Sequence, residues 1–306
     1  MSVVSAQGLR LRATATRAAL AVAGVLIAAK FAAWLGSGSV ALLSSLVDSL
    51  VDAAASLVNL LAVRAAVTPA DREHRFGHGK AEPLAALGQS AFLIGSALLL
   101  EAEAVRHLIW PAPVENSGAA IAVMAFSIAA ALGLVLYQRH AVRHTGSLAI
   151  GADELHYRGD LALNLGVLVS LIVGTRFAVP LLDPLVGAAA GLWIIYGAVR
   201  ISRLSLTQLM DHELPDAERA RIRRIAEAYP EVAAVHDMRT RAAGPTAFIQ
   251  LHLEMDGTMS LLRAHQISDG VEAELRRAYP NAEIIIHQDP AGLEEPPVFP
   301  AAAGRA

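Results

Sequence analysis

Six apolar stretches, each long enough to cross a bilayer, occupy the first two thirds of the chain. They run roughly over Ala18–Leu35, Val40–Ala66, Leu84–Ile109, Ala119–Tyr137, Ala149–Val173 and Phe177–Val199. A helix needs about 20 apolar residues to span a hydrocarbon core of ~30 Å, and helices satisfy their own backbone groups where water is absent. The pattern predicts a membrane protein with an all-α, six-helix transmembrane bundle over residues 1–208. Composition agrees: of 306 residues only 17% are charged and 55% are hydrophobic, against about 25% charged in soluble domains. Mean hydropathy is +0.46. The segments Gly36-Ser37-Gly38-Ser39 and Trp110-Pro111-Ala112-Pro113 carry turn signals. The first apolar run is too long for a signal-peptide core and lacks a clear cleavage site, so no cleaved leader is expected.

Charge between the stretches sets an expected orientation. Arg10, Arg12 and Arg17 precede the first span, and Arg64, Arg72, Arg75 and Lys80 lie between the second and third. Arg139 and Arg143 follow the fourth, and Arg200 and Arg203 follow the sixth. The opposite connections hold little beyond Glu115 and Arg176. The excess of cations predicts that both termini are cytoplasmic. A formal net charge of −3 gives no reason to expect a nucleic-acid partner. The absence of cysteine excludes disulfides, thiolate zinc sites and cysteine nucleophiles, and disfavours copper(I), which prefers sulfur.

Beyond Gln208 the pattern changes. Pro215–Tyr229 reads as an amphipathic helix, Ala233–Ala243 and Thr246–Asp256 as strands joined by Gly244-Pro245, Leu261–Tyr279 as a second helix and Ala282–Gln288 as a third strand. The order αββαβ predicts a small cytoplasmic α+β domain over 209–290, ferredoxin- or metallochaperone-like, with its helices on one face of the sheet. Residues 291–306 are rich in Pro and Ala and read as a loose tail. No internal repeat is evident.

Two spans carry acids and a histidine at membrane depth. Asp48 and Asp52 lie in the second, and His156 and Asp160 in the fifth, each pair spaced i, i+4 and so on one helix face. Such groups are expensive in hydrocarbon and mark ion pathways. At 1.5 Å per residue, Asp48 lies roughly 12 Å and Asp52 roughly 18 Å below the outer edge. His156 and Asp160 lie roughly 10 and 17 Å from the inner edge. Antiparallel helices would therefore bring Asp52 level with His156 and Asp48 level with Asp160. Three carboxylates and an imidazole suit four-coordinate zinc; a metal-free polar network or a proton path is the alternative. Asn59 and Asn164 on the same spans either support the site or bond across helices. Asp153 and Glu154 read as a solvated entrance. Arg158 lies about 200° around the helix from His156, with no evident partner.

Two further groups have metal-ligand character. His236, His252, His265, His287 and Asp289 fall in the last domain. His287 and Asp289 share a strand face, and Asp289 could bridge two zinc ions held by the imidazoles; scattered surface histidine is the alternative. Asp71, His74 and His78 follow the second span with a spacing that fits either zinc or an exposed polar loop.

Taken together, several stretches resemble the cation diffusion facilitator family, in its bacterial zinc and iron efflux branch. They are Leu46-Val47-Asp48-Ser49-Leu50-Val51-Asp52, His74-Arg75-Phe76-Gly77-His78-Gly79-Lys80-Ala81-Glu82 and Leu155-His156-Tyr157-Arg158-Gly159-Asp160. In the last domain they are Val235-His236-Asp237, Ile249-Gln250-Leu251-His252-Leu253-Glu254-Met255 and Ile286-His287-Gln288-Asp289-Pro290. The resemblance runs from the first span to about Pro290. It implies a homodimeric, proton-coupled antiporter of the bacterial inner membrane that exports a divalent metal from the cytoplasm. Zinc is the expected ion, transported and structural, with ferrous iron or cadmium as alternatives. Asp48, Asp52, His156 and Asp160 would form the transport site, and Asp71, His74 and His78 a site at the membrane surface. His236, His252, His265, His287 and Asp289 would form a binuclear site that helps hold two cytoplasmic domains together, with Gln288 nearby. Lys80 and Asp211 match a charged pair that locks the dimer. Arg158 and Gly159 depart from the neutral polar residues expected between two ligands.

An enzyme is not expected. An intramembrane metalloprotease would want H-E-x-x-H, and His212-Glu213 lacks the second histidine. A membrane-anchored metal sensor or chaperone is the other alternative, against which six spans and a charged midplane site count.

Overall fold

The computed structural model describes residues 6–37, 40–109, 118–177 and 182–292. The turn residues Gly38 and Ser39, the segment Trp110–Pro113, Glu115 and the tail from residue 293 onward lie outside these. Among the described residues the chain divides into two compact units, one ending at Met210 and grouping with it the turn residues Ala243–Pro245, the other made of the remainder from Asp211 onward.

The first unit holds six long helices: α1 (Ala6–Ser37), α2 (Val40–Ala66), α3 (Ala81–Ile109), α4 (Gly118–Thr145), α5 (Leu148–Phe177) and α6 (Leu182–Leu209). Among the described residues, five of them, α1, α2, α3, α4 and α6, contain stretches long and apolar enough to cross a membrane. The first half of α5 carries Asp153, Glu154, Arg158 and Asp160. Most helices outrun the apolar stretches that announce them. α1 begins at Ala6 instead of Ala18, α4 continues to Thr145 and α6 to Leu209. Hydrophobicity stops at the first charges, but main-chain hydrogen bonding does not, so Arg10, Arg12, Arg17, Arg139, Arg143, Arg200 and Arg203 ride on helix ends. Phe177 closes α5 and does not open α6.

α5 sits at the centre, against α2, α3, α4 and α6. Small residues allow the close approach. Ala15 and Ala141 are fully buried with Ile150, and Ala19 packs with Leu134, Val135 and Tyr157. Without a hydrophobic drive in lipid, such packing is what holds helices together. Gly159 is one of these contacts, since a Cβ there would come within 2.8 Å of Ile194 on α6.

One ion pair ties the ends of three helices. Arg12 on α1 reaches Glu82 on α3 at 2.5 Å, with both side chains at most 3% exposed. It also donates to the Thr145 carbonyl at the end of α4, at 2.6 Å, where the last carbonyls of a helix favour a cation.

The second unit contains α7 (Asp216–Ala226), β1 (Ala234–Ala243), β2 (Thr246–Met255), α8 (Leu261–Ala278) and β3 (Ala282–Pro290). The strand order is β1-β2-β3. β2 and β3 run parallel with His252 opposite His287 and Glu254 opposite Asp289, so α8 forms the crossover that a parallel pair requires. Ser260 caps α8 by accepting from the Arg263 amide at 3.3 Å. Ile249, Leu251 and Leu253 on β2 are buried with Ile222 of α7 and Val271 and Leu275 of α8. Strand alternation puts Gln250, His252 and Glu254 on the other face. β3 extends to Pro290, beyond the expected Gln288, and so carries Asp289 within the strand.

Removing Arg12 leaves Glu82 as an uncompensated buried charge. Arg12→Ala should cost about 3–5 kcal/mol of stability, and Glu82→Gln on that background should recover part of it. Thermal unfolding of the purified protein checks both.

Candidate metal centres

α2 and α5 pack against each other, and their acidic faces meet. His156 Nε2 lies 2.7 Å from Asp52 Oδ1 and 3.7 Å from Asp160 Oδ2. Ligand atoms of Asp52, His156 and Asp160 all fall within 4.8 Å of one another. Asp48, one turn along α2, is exposed and stands outside this group. Asn164 donates to the Asp160 carbonyl on its own helix at 2.8 Å and so bonds within α5.

A second polar cluster lies one turn from His156. Asp153 is 1% exposed and is not a solvated entrance. Its carboxylate accepts from Gln138 of α4 at 2.5 Å, Gln89 of α3 at 3.3 Å, and Ser56 and Asn59 of α2 at 3.2 and 3.4 Å. Asn59 also donates to Gln89, and Ser56 meets the Tyr157 hydroxyl at 3.4 Å. A single carboxylate thus joins four helices beside the site. Glu154 is likewise buried and pairs with Arg158 at 3.4 Å, while Arg158 lies 4.7 Å over the Trp193 ring. Those are the partners that the sequence left unassigned.

In the segment before α3, Asp71 Oδ1 accepts from the main-chain amides of His74 at 2.6 Å and Glu73 at 2.9 Å. These bonds hold its carboxyl below the usual range, the His74 amide foremost. Gly77, with φ 74°, turns the chain so that His78 Nε2 comes to 3.4 Å from Asp71 Oδ2. His74 Nδ1 is 3.3 Å from Oδ1, and the two rings are 4.4 Å apart.

On the open face of the sheet, Asp289 is 6% exposed and divides its oxygens. Oδ2 lies 2.7 Å from His252 Nδ1 and 3.2 Å from His236 Nε2, while Oδ1 lies 3.0 Å from His287 Nε2. A carboxylate whose oxygens serve different imidazoles has the geometry of a bridge between two ions. Two acids join that were not expected as members: Glu254, 3.4 Å from His236, and Asp237, 3.7 Å from His252 Nε2. Asp237 adopts φ 41° inside β1, the left-handed region that Asp tolerates better than most residues. Gln288 faces the other way and donates to Ser268 of α8 at 2.9 Å. His265 lies on α8, exposed and 3.5 Å from Asp269, and is not brought into the group. Lys80 donates to the Leu209 carbonyl at 3.3 Å, and Asp211 pairs with Arg241 at 3.2 Å.

The pattern of a cation efflux transmembrane domain matches residues 16–210, and that of a cation efflux protein cytoplasmic domain matches residues 214–291. The chain belongs to the cation efflux family. This cation efflux protein is 46% identical over 93% of its length to the cation-efflux pump FieF of Serratia proteamaculans, covering 94% of that protein. It is 45% identical to the FieF pump of Klebsiella pneumoniae with the same coverage. The metal-bound C-terminal domain of the CzcD transporter from Thermotoga maritima is 29% identical, with a TM-score of 0.25, covering 27% of this chain and all of that one. As a member of the family, the cation efflux protein is a multi-pass membrane transporter and not an enzyme.

The residues whose buried, partnered roles were not expected carried legible signals, Asp153 among them, which read as a solvated entrance. Asp153 and Gln89 are polar groups within apolar runs, and Lys30 is a cation inside the first span; each is costly there unless partnered. Asp153→Ala should orphan Gln138 and Gln89 at about 1–3 kcal/mol for each buried group, with Asp153→Asn losing much less. Thermal unfolding in detergent distinguishes the two.

Proposed function

We propose that this protein exports zinc from the cytoplasm across the bacterial inner membrane in exchange for protons, as a homodimer with both termini cytoplasmic. The observation that carries the reading is the trio Asp52, His156 and Asp160, whose ligand atoms lie within 4.8 Å inside the helical bundle. Asp48 completes four ligands from the next turn of α2. One imidazole among carboxylates suits zinc, and intrinsic affinity favours zinc over ferrous iron; cadmium and ferrous iron are the competing cargoes. Zinc needs deprotonated ligands, so its binding expels protons, and their return through His156 on the far side drives release. Alternating access around a site fixed in the bundle completes the cycle.

The other clusters serve this transport. Asp71, His74 and His78 collect metal at the membrane surface. His236, His252, His287 and Asp289 hold a binuclear zinc site with Asp289 bridging. His265 lies on the helical layer, so it joins this set only from a second copy, which makes the site a clamp between cytoplasmic domains. Lys80 and Asp211 add a charge lock at the membrane surface.

In sealed vesicles, Asp52→Ala and Asp160→Ala should abolish zinc uptake while the protein still inserts and dimerises; near-normal flux in either removes the reading. Making the zinc-releasing side alkaline should slow transport, because fewer protons are available to displace the ion. Flux independent of pH would exclude antiport. His252→Ala and Asp289→Ala should lose zinc-dependent thermal stability and widen the separation of spin labels on the two cytoplasmic domains, with only a partial loss of flux. A loss as complete as in Asp52→Ala would merge the transport and clamp roles.

A further inference from the structure

Lys30 lies on α1 within the apolar run, and its Nζ reaches across to α2. It donates to Ser49 Oγ at 2.6 Å and to the Ser45 carbonyl at 3.1 Å. Ser49 stands between Asp48 and Asp52 in the sequence, so the tether fixes the ammonium at the level of the ligands. Its charge interacts electrostatically with Asp52, Asp160 and Asp48. A helix-packing role alone would be met by an apolar side chain at lower cost, since an amine at membrane depth is expensive.

We propose that Lys30 is a resident counter-cation that sets the charge of the transport site and makes it selective for divalent ions. The three carboxylates of Asp48, Asp52 and Asp160, less one ammonium, leave a formal charge of −2, which a divalent ion neutralises. Without the lysine the same ligands carry −3. A divalent ion would then be held too tightly to leave, and a trivalent ion would become the matched guest. Lys30 does this without coordinating metal. Its hydrogen bonds go to a serine hydroxyl and a main-chain carbonyl, which leaves the carboxylate oxygens and the imidazole for the cargo.

The inference rests on the midplane site being the transport site, and the experiment separates the two. Full-length wild type, Lys30→Met, Lys30→Arg and Asp52→Ala are reconstituted in vesicles, and zinc uptake is measured at fixed pH with lanthanum ion as competitor. Lanthanum is trivalent and accepts oxygen ligands. Removing one unit charge held beside the ligands should shift the lanthanum-to-zinc preference by about tenfold or more. Lys30→Met is expected to lower the inhibition constant of lanthanum by that factor relative to the KM for zinc, and to lower KM and maximal flux together. Lys30→Arg is expected to keep the wild-type preference. Sites elsewhere on the protein are common to these variants and cancel in the comparison. Should Lys30→Met not fold, Lys30→Gln, whose amide can still bond to Ser45 and Ser49, carries the same measurement. An unchanged preference in the neutral variant overturns the inference, as does an Arg variant that behaves like the neutral one. If Asp52→Ala retains zinc uptake, the transport-site reading itself falls and takes the role of Lys30 with it.

Discussion

Charge in an apolar phase has to be answered by charge or by hydrogen bonds, and the arrangement of α2 against α5 answers it. Asp52 and His156 meet at 2.7 Å, and Asp160 stands within reach of the same imidazole. Asp153 spreads its hydrogen bonds over α2, α3 and α4. None of these three carboxylates could stay at that depth on an isolated helix. The pairing therefore does two jobs: it gathers side chains of metal-ligating type, and it specifies which helix faces which. The buried alanines of α1 and α4 and Gly159 of α5 let the backbones approach closely enough for these short side chains to meet.

The same donor types recur in the second unit under a different constraint. There the sheet's alternation, and not membrane depth, selects the residues. β2 turns Ile249, Leu251 and Leu253 toward the helices and leaves His252 and Glu254 on the free face, opposite His287 and Asp289 in register. His236 reaches Asp289 from β1. Asp289, nearly buried among imidazoles, has an oxygen for each side, and the positive φ of Asp237 brings a further carboxylate toward His252. Sites in the two units are thus built from different periodicities, i, i+4 on helices and i, i+2 on strands, with the same chemistry at the end of each.

Much of this was legible in the sequence. Apolar runs of membrane length determined six helices, and the switch to strand alternation after Gln208 determined the αββαβ unit. The two i, i+4 pairs, at matching depths on antiparallel spans, determined that Asp52 and His156 should meet, because helix rise per residue is constant. Helix ends were less legible, since main-chain hydrogen bonding continues past the hydrocarbon while hydrophobicity does not. What only the tertiary structure decided were the contacts between residues distant in sequence and set by how helices rotate about their axes. These are Asp48 standing apart from its three neighbours, Asp153 buried at a four-helix junction, Arg158 laid on Trp193, Lys30 tethered beside the ligands, and His265 held on the layer away from Asp289. Sequence periodicity gives the face of one helix or strand; which neighbour that face meets depends on packing, where the size of an alanine or a glycine sets the approach.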